Sequence, residues 1–107
     1  FRVERLRGTQ SQPHFQSLAG LRIEVFREFP YLYEGDVEYE KKYLQRYMKT
    51  PDALVVLIWD QEHLAGAATG LPLEQEDSFI RAPFEKAGLH IPDYFYFGES
   101  LLRKSYR

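Results

Sequence analysis

The 107-residue chain has no cysteine, which removes a disulfide framework, thiolate metal ligands and a cysteine nucleophile together. That composition fits the cytosol, and a cytoplasmic protein is the expectation. The chain also lacks an excess of either charge, since 14 Lys and Arg face 16 Asp and Glu for a formal net charge of −2. A nucleic-acid module carries a clear basic excess, and no run of like charges forms a tail, so no nucleic-acid partner is expected. Long hydrophobic runs are missing too. The longest strongly apolar stretch, Ala53 to Trp59, is seven residues, against the roughly 20 needed to cross a bilayer, so no membrane partner is expected either. Histidine is scarce: His14, His63 and His90 show no Cys/His metal pattern, and the expected metal set is none. No Gly-x-Ser-x-Gly elbow surrounds any serine, and no phosphate-binding glycine loop occurs in the 107 residues.

What the chain does have is aromatic and apolar mass. It contains 8 Tyr, 8 Phe and 1 Trp, and 44% of its residues are hydrophobic, enough to build one core and to exclude intrinsic disorder. A single domain over residues 1–107 follows. Opening at Phe1 without Met, and stopping at Arg107 just after an apolar segment, the chain is expected to be a truncated piece of a longer protein.

The local patterns predict the elements in order. Arg2 to Leu6 alternates as a short strand, and Gly8 to Gln12 supplies turn residues. Ser11 as cap and Pro13 as an early helical residue introduce a helix carrying Phe15, Leu18, Leu21, Val25, Phe26 and Phe29, which Pro30 ends. After an aromatic loop from Tyr31 to Gly35, Asp36 caps a second helix whose stripe is Val37, Tyr43, Leu44, Tyr47 and Met48. Glu38 and Lys42 are an i,i+4 pair on it. Ala53 to Asp60 reads as a buried strand, Gln61-Glu62 as a turn, and Leu64 to Leu71 as the antiparallel return.

That return strand is unusual in being small: Ala65, Gly66, Ala67, Ala68, Thr69 and Gly70. Either a helix packs tightly over this face, or a ligand lies there. Glu74 to Ala87 is a helical stretch kinked or split by Pro83, with Gly88 as its stop. Tyr94 to Leu102 is a last strand, in which Gly98 suggests a bulge. The order predicts an α+β domain with a mostly antiparallel central sheet and flanking helices.

Three stretches in this order carry a resemblance. They are Val25-Phe26-Arg27-Glu28-Phe29-Pro30-Tyr31-Leu32-Tyr33, the hairpin from Ala53 to Gly70, and the end from Phe97 through Gly98-Glu99-Ser100-Leu101-Leu102-Arg103-Lys104-Ser105-Tyr106-Arg107. Together they resemble the N-terminal portion of the GNAT superfamily of acetyl-coenzyme A dependent N-acetyltransferases. The resemblance implies the N-terminal half of an acyl-CoA N-acyltransferase fold, a three-layer α/β arrangement. It implies acetyl-CoA as co-substrate and a small-molecule or peptide amine as acceptor. In that family the fourth strand leads into a Tyr-Arg-Gly-x-Gly-x-Gly kind of loop that cradles the pyrophosphate. Tyr106 and Arg107 match its first two residues, while Lys104 stands where the family usually has proline.

Carried over residue by residue, the resemblance implies a cofactor role for Leu101, Leu102 and Arg107. Two phosphates need several backbone donors, so these residues alone are expected to bind coenzyme A poorly and to be inactive or nearly so. An alkylammonium with pKa about 10.4 is neutral in only about one molecule in 2,500 at pH 7, a cost of about 4.6 kcal/mol that a positioned base lowers. Glu99 is the candidate base, with a carboxylate satisfied by backbone or by a neighbouring Lys or Arg as the alternative. The N–H near Leu102 suits a developing oxyanion. Tyr31, Tyr33 and Glu34, with Asp36 in the same loop, are candidate contacts to a cationic acceptor, and Tyr43 and Tyr47 read as core. The alternatives are a non-catalytic α+β binding module and a domain that dimerises through the Tyr94 to Leu102 strand edge.

Overall fold

The computed structural model describes residues 1–28 and 30–107. Its architecture is α+β: one four-stranded sheet, entirely antiparallel, in the order β1-β2-β3-β4. The strands are β1 (Arg2–Arg7), β2 (Leu54–Asp60), β3 (His63–Pro72) and β4 (Phe95–Leu102). Helices α1 (Phe15–Phe26) and α2 (Val37–Met48) lie between β1 and β2, and α3 (Ser78–Lys86) lies between β3 and β4. None of these helices is long and apolar enough to cross a membrane.

The core sits between the α1/α2 pair and one face of the sheet. Leu18, Leu21, Leu44, Tyr47, Val55, Leu57 and Leu71 are fully enclosed there. Each such leucine stabilises the fold by about 1.5–3 kcal/mol through apolar burial. The strict alternation of β2, with Val55, Leu57 and Trp59 inward, places its partner residues Thr69 and Ala67 of β3 on the same face.

Several expected boundaries move. Ser11 does not cap α1. Its hydroxyl donates to the Gly8 carbonyl at 2.5 Å inside a 3₁₀ turn (Gly8–His14) that also contains Pro13. The tighter turn starts because the Gln10 side chain accepts from the Arg7 N–H at 2.8 Å. Helix α1 ends at Phe26, before Pro30, and Phe29 lies outside the described residues. On α2 Asp36 caps as expected, its Oδ1 accepting from the N–H groups of Glu38 (3.0 Å) and Tyr39 (3.2 Å). Val37, however, is 67% exposed and stands off the buried face of α2, which carries Glu40, Leu44, Tyr47 and Met48. Glu38 and Lys42 do not form the expected ion pair among the described residues. The stretch after β3 divides at Glu76 and Asp77 rather than at Pro83, which lies within α3. Glu76 is held there by Arg46 of α2, an ion pair that anchors the chain before the helix begins.

The small residues of β3 answer to close neighbours. On the core face Ala67 and Thr69 lie beneath the helices, and on the other a Cβ at Gly70 would meet Phe95 Cε1 at 2.5 Å. The expected bulge in β4 is present: Glu99 pairs with Thr69 and Phe97 with Gly70, leaving Gly98 as the extra residue.

Candidate functional site

The bulge determines where the chemistry gathers. Beyond Gly98, β4 resumes its register with Glu99 on the helix-covered face, on the outer strand of the sheet. Gly98 is needed there, since a Cβ at that position would overlap the Tyr47 hydroxyl and press on Thr69 Oγ1.

Glu99 meets Arg22 of α1, whose Nη1 donates to Glu99 Oε2. The same guanidinium donates from Nε to Oε1 of Glu40 on α2 at 2.5 Å. Arg22 is 4% exposed and Glu40 fully buried, so one cation joins both helices to β4. Burial opposes the charge on Arg22, yet its hydrogen bonds and attraction to Glu99 and Glu40 raise its pKa above the usual guanidinium range. The planar group also lies 3.9 Å from the ring centroid of Tyr43 and 5.1 Å from that of Phe26. Beneath it the Tyr43 and Tyr47 hydroxyls are 3.1 Å apart. Both tyrosines are raised in pKa, first by burial, and remain neutral donors.

The α1–α2 loop closes over this cluster. The Tyr33 hydroxyl accepts from the Asp36 N–H at 2.7 Å and donates to Glu40 Oε2 at 3.1 Å. Burial, together with the Glu40 carboxylate, raises its pKa as well. Tyr31 sets its ring edge-on to Phe26, centroids 5.0 Å apart. The outcome is a cavity of about 490 Å³ lined by Arg22, Phe26, Tyr31, Tyr33, Asp36, Tyr39 and Glu99. Aromatic faces make its walls and carboxylates outnumber the one guanidinium, so it suits a ligand carrying positive charge.

The residues singled out in the sequence separate into three groups. Glu99, Tyr31 and Tyr33 converge on the cavity. Glu34 does not; it borders a different, shallow depression with Arg27 and Leu32. Leu101, Leu102 and Arg107 lie further along β4 and beyond it. The Arg103 N–H bonds Ala65 of β3 at 2.9 Å, so its neighbour Leu102 turns its own N–H and C=O to the outer edge, whereas Leu101 faces β3. Arg107 already has partners: Nε donates to the Leu102 carbonyl at 2.8 Å, and Nη1 lies 3.2 Å from Glu28. Tyr106 donates to Asp60 at 2.6 Å, which raises its pKa, and stays away from the cavity.

Sequence reasoning passed over Arg22 and Glu40. The signal was present: each places a charge on an otherwise apolar helix face, Arg22 between Leu18 and Val25, Glu40 between Val37 and Leu44. Two opposite charges on the buried faces of adjacent helices are the mark of a buried ion pair. With this geometry in place, comparison with known proteins adds nothing further: the chain matches no family model, no curated protein and no solved structure.

Proposed function

We propose that the chain forms the acceptor groove and the start of the cofactor site of a GNAT-type N-acetyltransferase, which moves acetyl from acetyl-CoA to a primary amine. One observation carries this reading: the Gly98 bulge delivers a carboxylate into a cation-suited cavity close to an open strand edge. The outward direction of the Leu102 N–H supports a contact to an amide-bearing pantetheine arm or to a thioester carbonyl. Arg107 fits a phosphate only after giving up Glu28.

In the reaction, the neutral amine nitrogen attacks the thioester carbonyl carbon, the C–S bond breaks, and the amine proton leaves toward Glu99 or through water. The thiolate then takes a proton from solvent. Glu99 orients the incoming ammonium and receives its proton, Arg22 holds Glu99 in place, and the tyrosine walls exclude water.

A longer chain continuing past Arg107, given acetyl-CoA and a panel of primary amines, should release free thiol. Glu99→Gln should lower kcat about a hundredfold or more while acetyl-CoA affinity, measured by calorimetry, stays within about twofold, since Gln keeps the shape and the lost charge faces Arg22 and the acceptor groove. A longer chain that neither binds acetyl-CoA nor releases thiol retires the proposal.

A second reading is self-association through β4. The strand is an outer one, and Phe97 on it is 80% exposed. Sedimentation of the 107-residue chain should then show a concentration-dependent dimer, and a strictly monomeric chain removes this reading.

A further inference from the structure

A groove built for a simple amine needs only carboxylates and aromatic faces. This cavity also presents a guanidinium, and a guanidinium has five N–H bonds to place. Arg22 spends Nε on Glu40 and one Nη1 hydrogen on Glu99, while its Nη2 makes no hydrogen bond to any described residue. The side chain is 5% exposed, yet it lines the cavity. Nη2 is not among the buried unpartnered side-chain atoms of the described residues, so it is reached from the cavity, where an acceptor atom on a ligand can replace water. Glu99 is arranged in the complementary way, with Oε2 on Arg22 and Oε1 without a donor among the described residues.

Arg22 and Glu99 are in direct contact. A ligand that satisfies both must therefore carry a cation and an acceptor oxygen on neighbouring atoms. A lone alkylammonium would satisfy Glu99 but offer Nη2 no acceptor in place of water and face Arg22 as a like charge. The rings of Phe26, Tyr31, Tyr33 and Tyr39 leave room beside these charges for an apolar or aromatic group. Asp36 on the same wall disfavours an acidic one.

We propose that the cavity takes an α-amino acid unit with an apolar or aromatic side chain, its ammonium on Glu99 and its adjacent carboxylate or carbonyl oxygen on Arg22 Nη2. This assignment rests on reading the cavity as the acceptor groove. It narrows the acceptor from any primary amine to a free amino acid or the amino terminus of a peptide.

Three ligands share the ring and differ only at the carbon bearing nitrogen: phenylalanine with a carboxylate, phenylalaninamide with a neutral carbonyl, and phenethylamine with neither. Each is titrated into the 107-residue chain without acetyl-CoA, following tyrosine ring signals by NMR at about pH 6, where α-amino groups of pKa about 7.7–8.0 are protonated. At least one carbonyl-bearing ligand should bind ten times or more tighter than phenethylamine. A preference for phenylalanine over its amide identifies a free amino acid, and equal binding of the two identifies a peptide amino terminus. Phenethylamine binding as tightly as the other two, or no saturation by any of them at millimolar concentration, overturns the proposal. Since acetyl-CoA is left out, the expected ranking without acetyl transfer by the longer chain retires the transferase reading alone. Transfer without the ranking retires this assignment alone.

Discussion

Arg22 Nε lies 2.5 Å from Glu40 Oε1, and their side chains are 5% and 0% exposed. The pair joins α1 to α2 across 18 residues of sequence and, through Glu99, ties both helices to β4. Removing Arg22 alone leaves the buried Glu40 and the partly buried Glu99 without their cation, while removing all three charges leaves none unpaired.

Arg22→Met should therefore destabilise the fold by about 3–5 kcal/mol in urea denaturation. Glu85→Ala, which breaks the exposed pair with Arg81, should cost no more than about 0.5 kcal/mol. The triple change Arg22→Met, Glu40→Leu and Glu99→Gln should be far milder than Arg22→Met alone. If the triple variant is the less stable of the two, the cluster is worth more than its desolvation cost and this account of it is wrong.

Gly98 and Tyr47 are coupled by space. A methyl group at 98 collides with the Tyr47 hydroxyl, so Gly98→Ala should cost about 1–3 kcal/mol. Tyr47→Phe removes the colliding oxygen and should rescue part of that loss. A double-mutant cycle should give a coupling of at least about 0.5 kcal/mol, and additive costs would show that the methyl group is accommodated elsewhere.

Alkaline stability follows from Tyr43 and Tyr47. Both have pKa values raised above the usual 10.0 in the folded chain, chiefly by burial and, for Tyr43, also by the Tyr47 hydrogen bond and the Glu99 charge. A raised folded pKa means that their contribution is complete below about pH 10 and is lost as pH climbs through the higher folded values. The urea midpoint should fall above about pH 10, and more gently in a Tyr43→Phe, Tyr47→Phe variant. An equally steep fall in that variant would assign the loss to other groups.

Asp36 has two duties that can be separated. As the cap of α2 it accepts two backbone N–H bonds through Oδ1, and its carboxylate also lines the cavity. Asp36→Ala should cost about 1 kcal/mol, and Asp36→Asn only a few tenths, because Asn caps equally well. A stability loss for Asn matching that for Ala would show that charge, not hydrogen bonding, sets the cap.

The fold was legible where the cause is local. A β-branched, apolar run marked β2, the Asp36 cap marked the start of α2, and the extra glycine marked the β4 bulge, because each depends on residues a few positions apart. Legibility failed where two local options compete. Ser11 can cap a helix or close a 3₁₀ turn, and the Gln10 bond to the Arg7 N–H favours the turn. The candidate site was half legible. Glu99, Tyr31 and Tyr33 stood out by type and place, but Glu34, two residues from Asp36, turns to another depression.

By itself the sequence determined the class of the domain, its element order, the near-balance of charge that excludes a general polyanion binder, and the bulge position. Tertiary structure alone decided that Arg22, Glu40 and Glu99, separated by as many as 77 positions, share one set of hydrogen bonds. The reason is physical. Periodicity and capping are set by neighbours along the chain, whereas the partner of a buried charge is set by which helix faces the sheet brings together, and that is settled only when the core closes.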